Sequence, residues 1–83
     1  MDLFAKVVTL DGGYDSDKED IVNSGYKKGD IFEVEYVSMG QSYTKIYDKK
    51  DGAGYNSVYF EFYDSKGNEI DIYSDPRYNP YIW

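Results

Sequence analysis

The 83-residue chain is long enough for one domain with a thin hydrophobic core, because a chain of this length buries only about 60–65% of its unfolded surface. It contains neither cysteine nor histidine, which excludes disulfides, thiolate metal sites and imidazole-based catalysis. Its net charge of −7 disfavours direct contact with nucleic-acid phosphates and favours basic partners.

The first predicted element is a strand at residues 3–10, LFAKVVTL, in which apolar residues occupy most positions on both faces. The start of the chain has no basic region and no long apolar run, so it predicts neither a signal peptide nor a membrane span. Together with the absence of cysteine, this pattern predicts a cytoplasmic protein that does not associate with membranes.

Residues 11–20, DGGYDSDKED, form the most acidic stretch of the chain and predict a long solvated loop. The alternate acids that begin at Asp15 suggest a calcium-binding loop. However, the sixth position is Asp20 instead of glycine, and the twelfth is Tyr26 instead of glutamate. We therefore expect no calcium site, and at most one helical turn before Gly25.

Residues 27–38, KKGDIFEVEYVS, give the clearest strand pattern in the chain. A Lys-Lys-Gly-Asp turn precedes Phe32, Val34 and Tyr36, which alternate with two glutamates. This alternation predicts a strand with one buried face, formed by the three apolar and aromatic residues, and one exposed face.

Residues 42–49, SYTKIYDK, predict the next strand, with Ile46 on its buried face. Lys45 falls on the opposite face, where Glu33 or Glu35 of the preceding strand is a candidate partner for a cross-strand ion pair.

Residues 56–73, NSVYFEFYDSKGNEIDIY, predict a hairpin whose DSKG turn places Gly67 in the left-handed conformation. The side chains expected to point into the core are Val58, Phe60, Phe62, Ile70 and Ile72. The side chains expected to point outward are Tyr59, Glu61, Tyr63, Glu69, Asp71 and Tyr73.

The tail at residues 75–83, DPRYNPYIW, contains two prolines, which prevent it from continuing as a central strand. We expect the tail to wrap around the domain, with Tyr78 covering an edge and Arg77 pairing with a nearby acid. Two alternatives remain open for Tyr81 and Trp83, which either cover the core or contact a partner.

Five predicted strands at spacings of about ten residues place residues 1–83 in a single all-β domain. The local connections favour an antiparallel meander. The thin core and the need to protect sheet edges favour a closed or half-closed barrel.

The stretch YKKGDIFEVEYVSMGQSYTKIY resembles the strand–turn–strand unit of small SH3-like barrels. With YNSVYFEFYDSKGNEIDIYSDPRYNPY, it is similar to small proteins encoded by phages and prophages of Gram-positive bacteria. The resemblance covers residues 26–81 and carries no catalytic residues. It implies a five-stranded antiparallel SH3-like barrel with an acidic loop and a wrapping aromatic tail. It also implies a phage context, in which small acidic proteins often inhibit host proteins such as restriction or CRISPR nucleases.

The sequence predicts no enzymatic activity, no metal and no cofactor. Glu33 with Glu35, and Glu69 with Asp71, each share a strand face, but alternate acids on an exposed strand are ordinarily a solvated face. Eleven tyrosines would suit base stacking, yet the paired lysines lie among acids. Direct nucleic-acid binding is therefore not expected.

The composition instead favours protein binding, because tyrosine offers a large rigid contact area with a polar tip. The expected function is inhibition of a basic, nucleic-acid-handling host protein, as an anti-CRISPR or anti-restriction protein. The alternative is an assembly module that self-associates through its tyrosines or tail. The predicted binding residues are Asp15, Asp17, Glu19, Asp20, Tyr43, Tyr47, Tyr59, Tyr63, Tyr73, Tyr81 and Trp83.

Overall fold

The computed structural model describes residues 3–10, 15–40 and 42–81. The described elements are β1 (Phe4–Val7), α1 (Asp15–Asn23), β2 (Ile31–Met39), β3 (Thr44–Asp48), β4 (Gly54–Asn56), a 3₁₀ turn (Ser57–Tyr59), β5 (Phe60–Tyr63) and β6 (Glu69–Ile70). The six strands form one antiparallel sheet in the order β4-β3-β2-β1-β5-β6. The all-β class is therefore confirmed, with six strands in place of the expected five.

Strand β1 occupies the middle of the sheet, where it pairs with β2 on one side and β5 on the other. Its inward side chains, including Ala5 and Val7, are fully buried, which suits a central position. Strands β1 to β4 follow one another across the sheet as a meander, and β5 then pairs with β1 on the side opposite β2. The expectation of a simple meander through all strands is therefore wrong. Within the described ranges β4 and β6 do not pair, so the sheet is open and a closed SH3-like barrel is not confirmed.

An irregularity in β2 at Glu35 changes which side chains face the core. Val34 lies opposite Asp48 whereas Tyr36 lies opposite Tyr47, so β2 contains an additional residue at this point. Beyond it, Val37 packs against the core and Tyr36 is exposed. The expectation that Tyr36 belongs to the buried face is therefore wrong.

Helix α1 replaces most of the expected acidic loop. Ile21 anchors the helix, because its side chain is fully buried in the core. The helix ends in a Schellman motif, in which the N–H of Gly25 donates to Val22 O (3.0 Å) and that of Tyr26 donates to Ile21 O (3.3 Å). Gly25 has a φ of +90°, so the predicted glycine stop is confirmed while the predicted single turn is too short.

The 3₁₀ turn divides the predicted strand at residues 56–63 into β4 and β5. The side chain of Asn56 accepts a hydrogen bond from the N–H of Val58 at 3.2 Å and so caps the turn. The turn reverses the expected orientations, because Tyr59 is 1% exposed and Val58 is 59% exposed. The expectations that Tyr59 faces outward and Val58 inward are both wrong.

The tail packs back onto the domain through Tyr78. The sequence predicted that Tyr78 covers a sheet edge, whereas its side chain is buried in the core cluster. Arg77 forms the predicted local ion pair, with its Nη2 at 2.6 Å from Asp75 Oδ2. Further back along the chain, Ile72 is fully buried, and the hydroxyls of Tyr73 and Ser57 share a hydrogen bond of 2.6 Å. Among the described residues, no helix has the length and apolar character needed to cross a membrane.

Candidate protein-binding surface

The outer surface of β2, β3 and β4 gathers several tyrosines. The register aligns Tyr36 with Tyr47 and Tyr47 with Gly54 across the three strands. The next row aligns Ser38 with Lys45 and Lys45 with Asn56. Tyr43 stands at the hairpin end of this surface. We call the surface the tyrosine face; it consists of Tyr36, Ser38, Tyr43, Lys45, Tyr47, Gly54 and Asn56.

Tyr36 and Tyr47 form a stacked pair at the centre of the tyrosine face. Their ring centroids are 4.3 Å apart and their planes differ by 13°. The pKa of the Tyr36 phenol lies above its usual range, chiefly because of its side-chain hydrogen bond with Tyr47. The two rings therefore hold each other in place as a cross-strand aromatic pair.

Gly54 provides the space into which the Tyr47 ring of this pair fits. A Cβ atom at Gly54 would lie 2.9 Å from Cε1 of Tyr47 and 2.5 Å from Cε of Lys45. Because glycine has no side chain, Tyr47 packs directly over the backbone of the edge strand β4. Covering an edge glycine with a cross-strand aromatic ring is a known stabilising arrangement in sheets.

The tyrosine face has a groove of about 360 Å³ beside the β2–β3 hairpin. Ser38, Ser42, Tyr43, Lys45 and Tyr47 contribute to its walls. The Tyr43 side chain is 53% exposed, and Lys45 Nζ lies 5.7 Å from the centre of the Tyr47 ring. The groove thus combines aromatic surface, hydroxyl groups and one cation.

The predicted acidic binding residues lie apart from the tyrosine face. Glu19 and Asp20 are exposed on α1. This helix meets β4 on the side from which Tyr55 points, since the Tyr55 hydroxyl donates to Ser24 Oγ at 2.6 Å. Position 54, next to Tyr55 in β4, faces the opposite side of the sheet, which is the side of the tyrosine face. No residue of the tyrosine face, as defined from the described part of the chain, carries a carboxylate.

Asp15 and Asp17 belong to the first part of α1, but their side chains lie outside the description, as does the whole of Trp83. The other predicted tyrosines are dispersed. Of the tyrosines predicted from the sequence as binding residues, Tyr43 and Tyr47 lie on the tyrosine face. Tyr63 belongs to the β1–β5 half of the sheet, and Tyr73 hydrogen-bonds Ser57.

Tyr81 is 68% exposed, and its hydroxyl donates to Met39 O at 3.4 Å. It therefore reaches the end of β2 without being buried, unlike Tyr78. Tyr36 was not predicted as a binding residue. The sequence does contain a signal for its exposure, since the apolar residues Val37 and Met39 fall on the face of the strand that was expected to be exposed.

The two acid pairs lie at the surface, where Glu33 is half-buried and Glu35, Glu69 and Asp71 are exposed. Glu33 Oε2 accepts from Lys49 Nζ at 2.9 Å, so Lys49 takes the place expected for Lys45. Glu35 stands at the irregularity in β2. Within the described ranges, no three Asp or Glu side chains are close enough together to hold a metal ion.

A family model described as bacteriophage T4 protein Y07B matches residues 2–83. The chain belongs to this phage protein family. The expected phage origin is thereby confirmed, while a Gram-positive source stays a prediction. No curated protein and no solved structure matches the chain. The Y07B match covers both the tyrosine face and α1.

Proposed function

We propose that this phage protein acts by binding another protein, without catalysing a reaction, and that its partner is a basic nucleic-acid-handling protein of the host. The observation that carries the proposal is the stacked Tyr36–Tyr47 pair beside the exposed Tyr43. Rings that are fixed before binding lose little conformational entropy when a partner covers them. This is the property that binding surfaces built on tyrosine exploit.

The charge of the chain supports a basic partner. A net charge of −7 attracts a basic protein from a distance and accelerates its encounter, in a way that added salt weakens. Because the tyrosine face itself has Lys45 as its charged group, the acids of α1 act on the rate of encounter and the tyrosines on the lifetime of the complex. The biological role that we infer is inhibition of a host defence enzyme through its nucleic-acid-binding site.

The test is affinity capture from a nuclease-treated bacterial host lysate, read by mass spectrometry. The baits are wild type, Tyr43→Ser, and a charge variant with Asp15, Asp17, Glu19 and Asp20 changed to Asn or Gln. Val58→Ser is the matched surface control, because Val58 is exposed on the 3₁₀ turn.

We expect wild type and the control to capture one basic nucleic-acid enzyme that Tyr43→Ser loses. The charge variant is expected to bind it more slowly, with a weaker dependence on salt. Recovery of the protein itself or of virion components alone would contradict the proposal and favour the self-associating assembly module.

A further inference from the structure

A second surface lies on the outer face of the other half of the sheet, where β2, β1 and β5 pair. Phe4 and Tyr63 are cross-strand neighbours, and Lys6 is the neighbour of Ile31. Together with the β5–β6 turn, these residues line a groove of about 410 Å³. This volume is within the range of pockets that hold ligands or side chains of partners.

The lining of this groove is largely apolar. Ile31 is 59% exposed, which is unusual for a large aliphatic side chain in a central strand. Phe4 and Tyr63 are half-buried and offer ring surface beside it. Lys6 is also half-buried, and its methylene groups add to the apolar wall.

Carboxylates surround the groove. By register Glu61 neighbours Lys6, Glu33 neighbours Phe4, and Glu69 neighbours Tyr63. The Tyr63 hydroxyl donates to Glu61 Oε1 at 2.8 Å, which fixes that carboxylate beside the groove. We call this surface the acid-rimmed groove; it consists of Phe4, Lys6, Ile31 and Tyr63 with the rim of Glu33, Glu61, Asp64 and Glu69.

The Asp64 carboxylate in the β5–β6 turn is held in its charged form. It accepts from the N–H groups of Lys66 (2.9 Å) and Asn68 (2.8 Å), and these bonds keep the pKa of Asp64 below its usual range. The rim therefore carries four carboxylates. Glu33 is paired with Lys49, Asp64 interacts with the charge of Lys66, and Lys6 lines the groove itself.

We propose that the acid-rimmed groove binds an extended protein segment in which one apolar side chain is flanked by lysine or arginine. The apolar side chain covers Ile31 and Phe4, and the basic neighbours meet the carboxylates of the rim. The proposal rests on the proposed function, since it names a chemistry by which a basic partner is recognised. A second copy of this chain suits the groove poorly, because its own rim is negative as well.

The probes are three synthetic peptides, GKKLRKG, its acidic counterpart GEELEEG, and GKKSRKG, which keeps the charge but lacks the leucine. Each is titrated into the ¹⁵N-labelled full chain and followed by NMR. We expect GKKLRKG to shift the signals of Phe4, Lys6, Ile31 and Tyr63, with weaker binding at higher salt. The other two peptides are expected to bind at least about tenfold more weakly.

Two matched pairs of variants locate the site. Ile31→Ser is compared with Val58→Ser, because the two wild-type side chains are equally exposed at 59%. Glu61→Gln is compared with Glu35→Gln, since both glutamates are exposed and Glu35 belongs neither to this groove nor to the tyrosine face. The groove variants are expected to weaken GKKLRKG binding by about tenfold or less, and the controls to leave it unchanged.

The proposal is overturned if GKKLRKG shifts only signals outside the groove, if GEELEEG binds equally well, or if Ile31→Ser binds like wild type. It is also overturned if the groove signals shift with protein concentration alone, which would make a second copy the occupant. If the peptide does not bind the groove but capture of a basic enzyme still depends on Tyr43, the proposed function is retained and the groove is not the binding site. If neither peptide binding at the groove nor capture of a basic enzyme is observed, both this proposal and the proposed function are contradicted.

Discussion

The phenol of Tyr26 donates a hydrogen bond to the carboxylate of Asp48, a side chain that is only 1% exposed. This bond joins the segment that follows α1 to the end of β3. Asp48 also accepts from the N–H of Lys50 at 2.9 Å, and the Tyr26 ring stacks on Phe32 with a centroid separation of 4.8 Å. A buried charge in so small a domain is tolerable only because donors surround it.

Replacing Tyr26 by phenylalanine is expected to lower the free energy of unfolding by about 1.5–3 kcal/mol, because it removes a hydrogen bond to a buried charge. The ring contacts with Phe32 remain, so the loss isolates the hydroxyl. Urea denaturation followed by circular dichroism measures it. Tyr43→Phe, at an exposed position, is the control and should unfold like wild type. Equal stability of all three proteins would mean that the Asp48 bond contributes nothing.

The same bond predicts the response to alkaline pH. Burial, and then the hydrogen bond to Asp48, raise the pKa of Tyr26 far above its ordinary value of 10.0. Because the folded-state pKa is raised, the stabilisation is fully present below pH 10 and is lost as the pH rises further towards the folded-state pKa. Unfolding measured from pH 8 to 11 should show wild type losing stability above pH 10 more steeply than Tyr26→Phe. Parallel curves would contradict the assignment.

The two tail tyrosines are expected to differ sharply. Tyr78→Ala leaves a cavity in the core and should cost about 3 kcal/mol, which lowers the Tm of a domain of this size by about 12 °C or more. Tyr81→Ala removes an exposed ring and should change stability by less than about 0.5 kcal/mol. Deletion of residues 78–83 should resemble Tyr78→Ala in a thermal scan. A deletion that melts like wild type would show that the tail does not cover the core.

Gly54→Ala tests the support beneath the tyrosine pair. The added methyl group meets Cε1 of Tyr47 at 2.9 Å, so the ring must move, at a cost of about 1–3 kcal/mol. The stacking geometry between Tyr36 and Tyr47 should change, which near-ultraviolet circular dichroism and NMR ring-current shifts detect. Ser38→Ala, on the same face, is the control and should leave these signals unchanged. An unaltered spectrum for Gly54→Ala would mean that the pair does not rest on this glycine.

The sequence predicted those elements whose alternation is unbroken. Phe60 and Phe62 point inward as expected, the glycine of the DSKG turn has a φ of +85°, and Arg77 pairs with its neighbour Asp75. In each case the local pattern and the tertiary environment favour the same conformation. These features are determined by interactions between residues that are close together in the sequence.

The errors occur where one residue changes the phase of a strand. The additional residue at Glu35 exposes Tyr36, and the 3₁₀ turn buries Tyr59, so one site residue was missed and another was misplaced. Helix α1 was missed because Ile21 and Val22 alone give it no apolar periodicity, and Ile21 is anchored by tertiary contacts. Long-range packing sets the orientation of these side chains, and such packing cannot be inferred from the local pattern of apolar and polar residues.

The central place of β1 has a consequence for how the molecule is made. The ribosome releases β1 before the other strands, yet the strand that completes its pairing, β5, is translated after more than half of the chain. Until Phe60 and Phe62 have emerged, the inward side chains of Val7 and Ala5 in the nascent β1 lack these cross-strand neighbours. Folding of the central sheet therefore waits for β5, and a message truncated before β5 should yield a product that proteases remove.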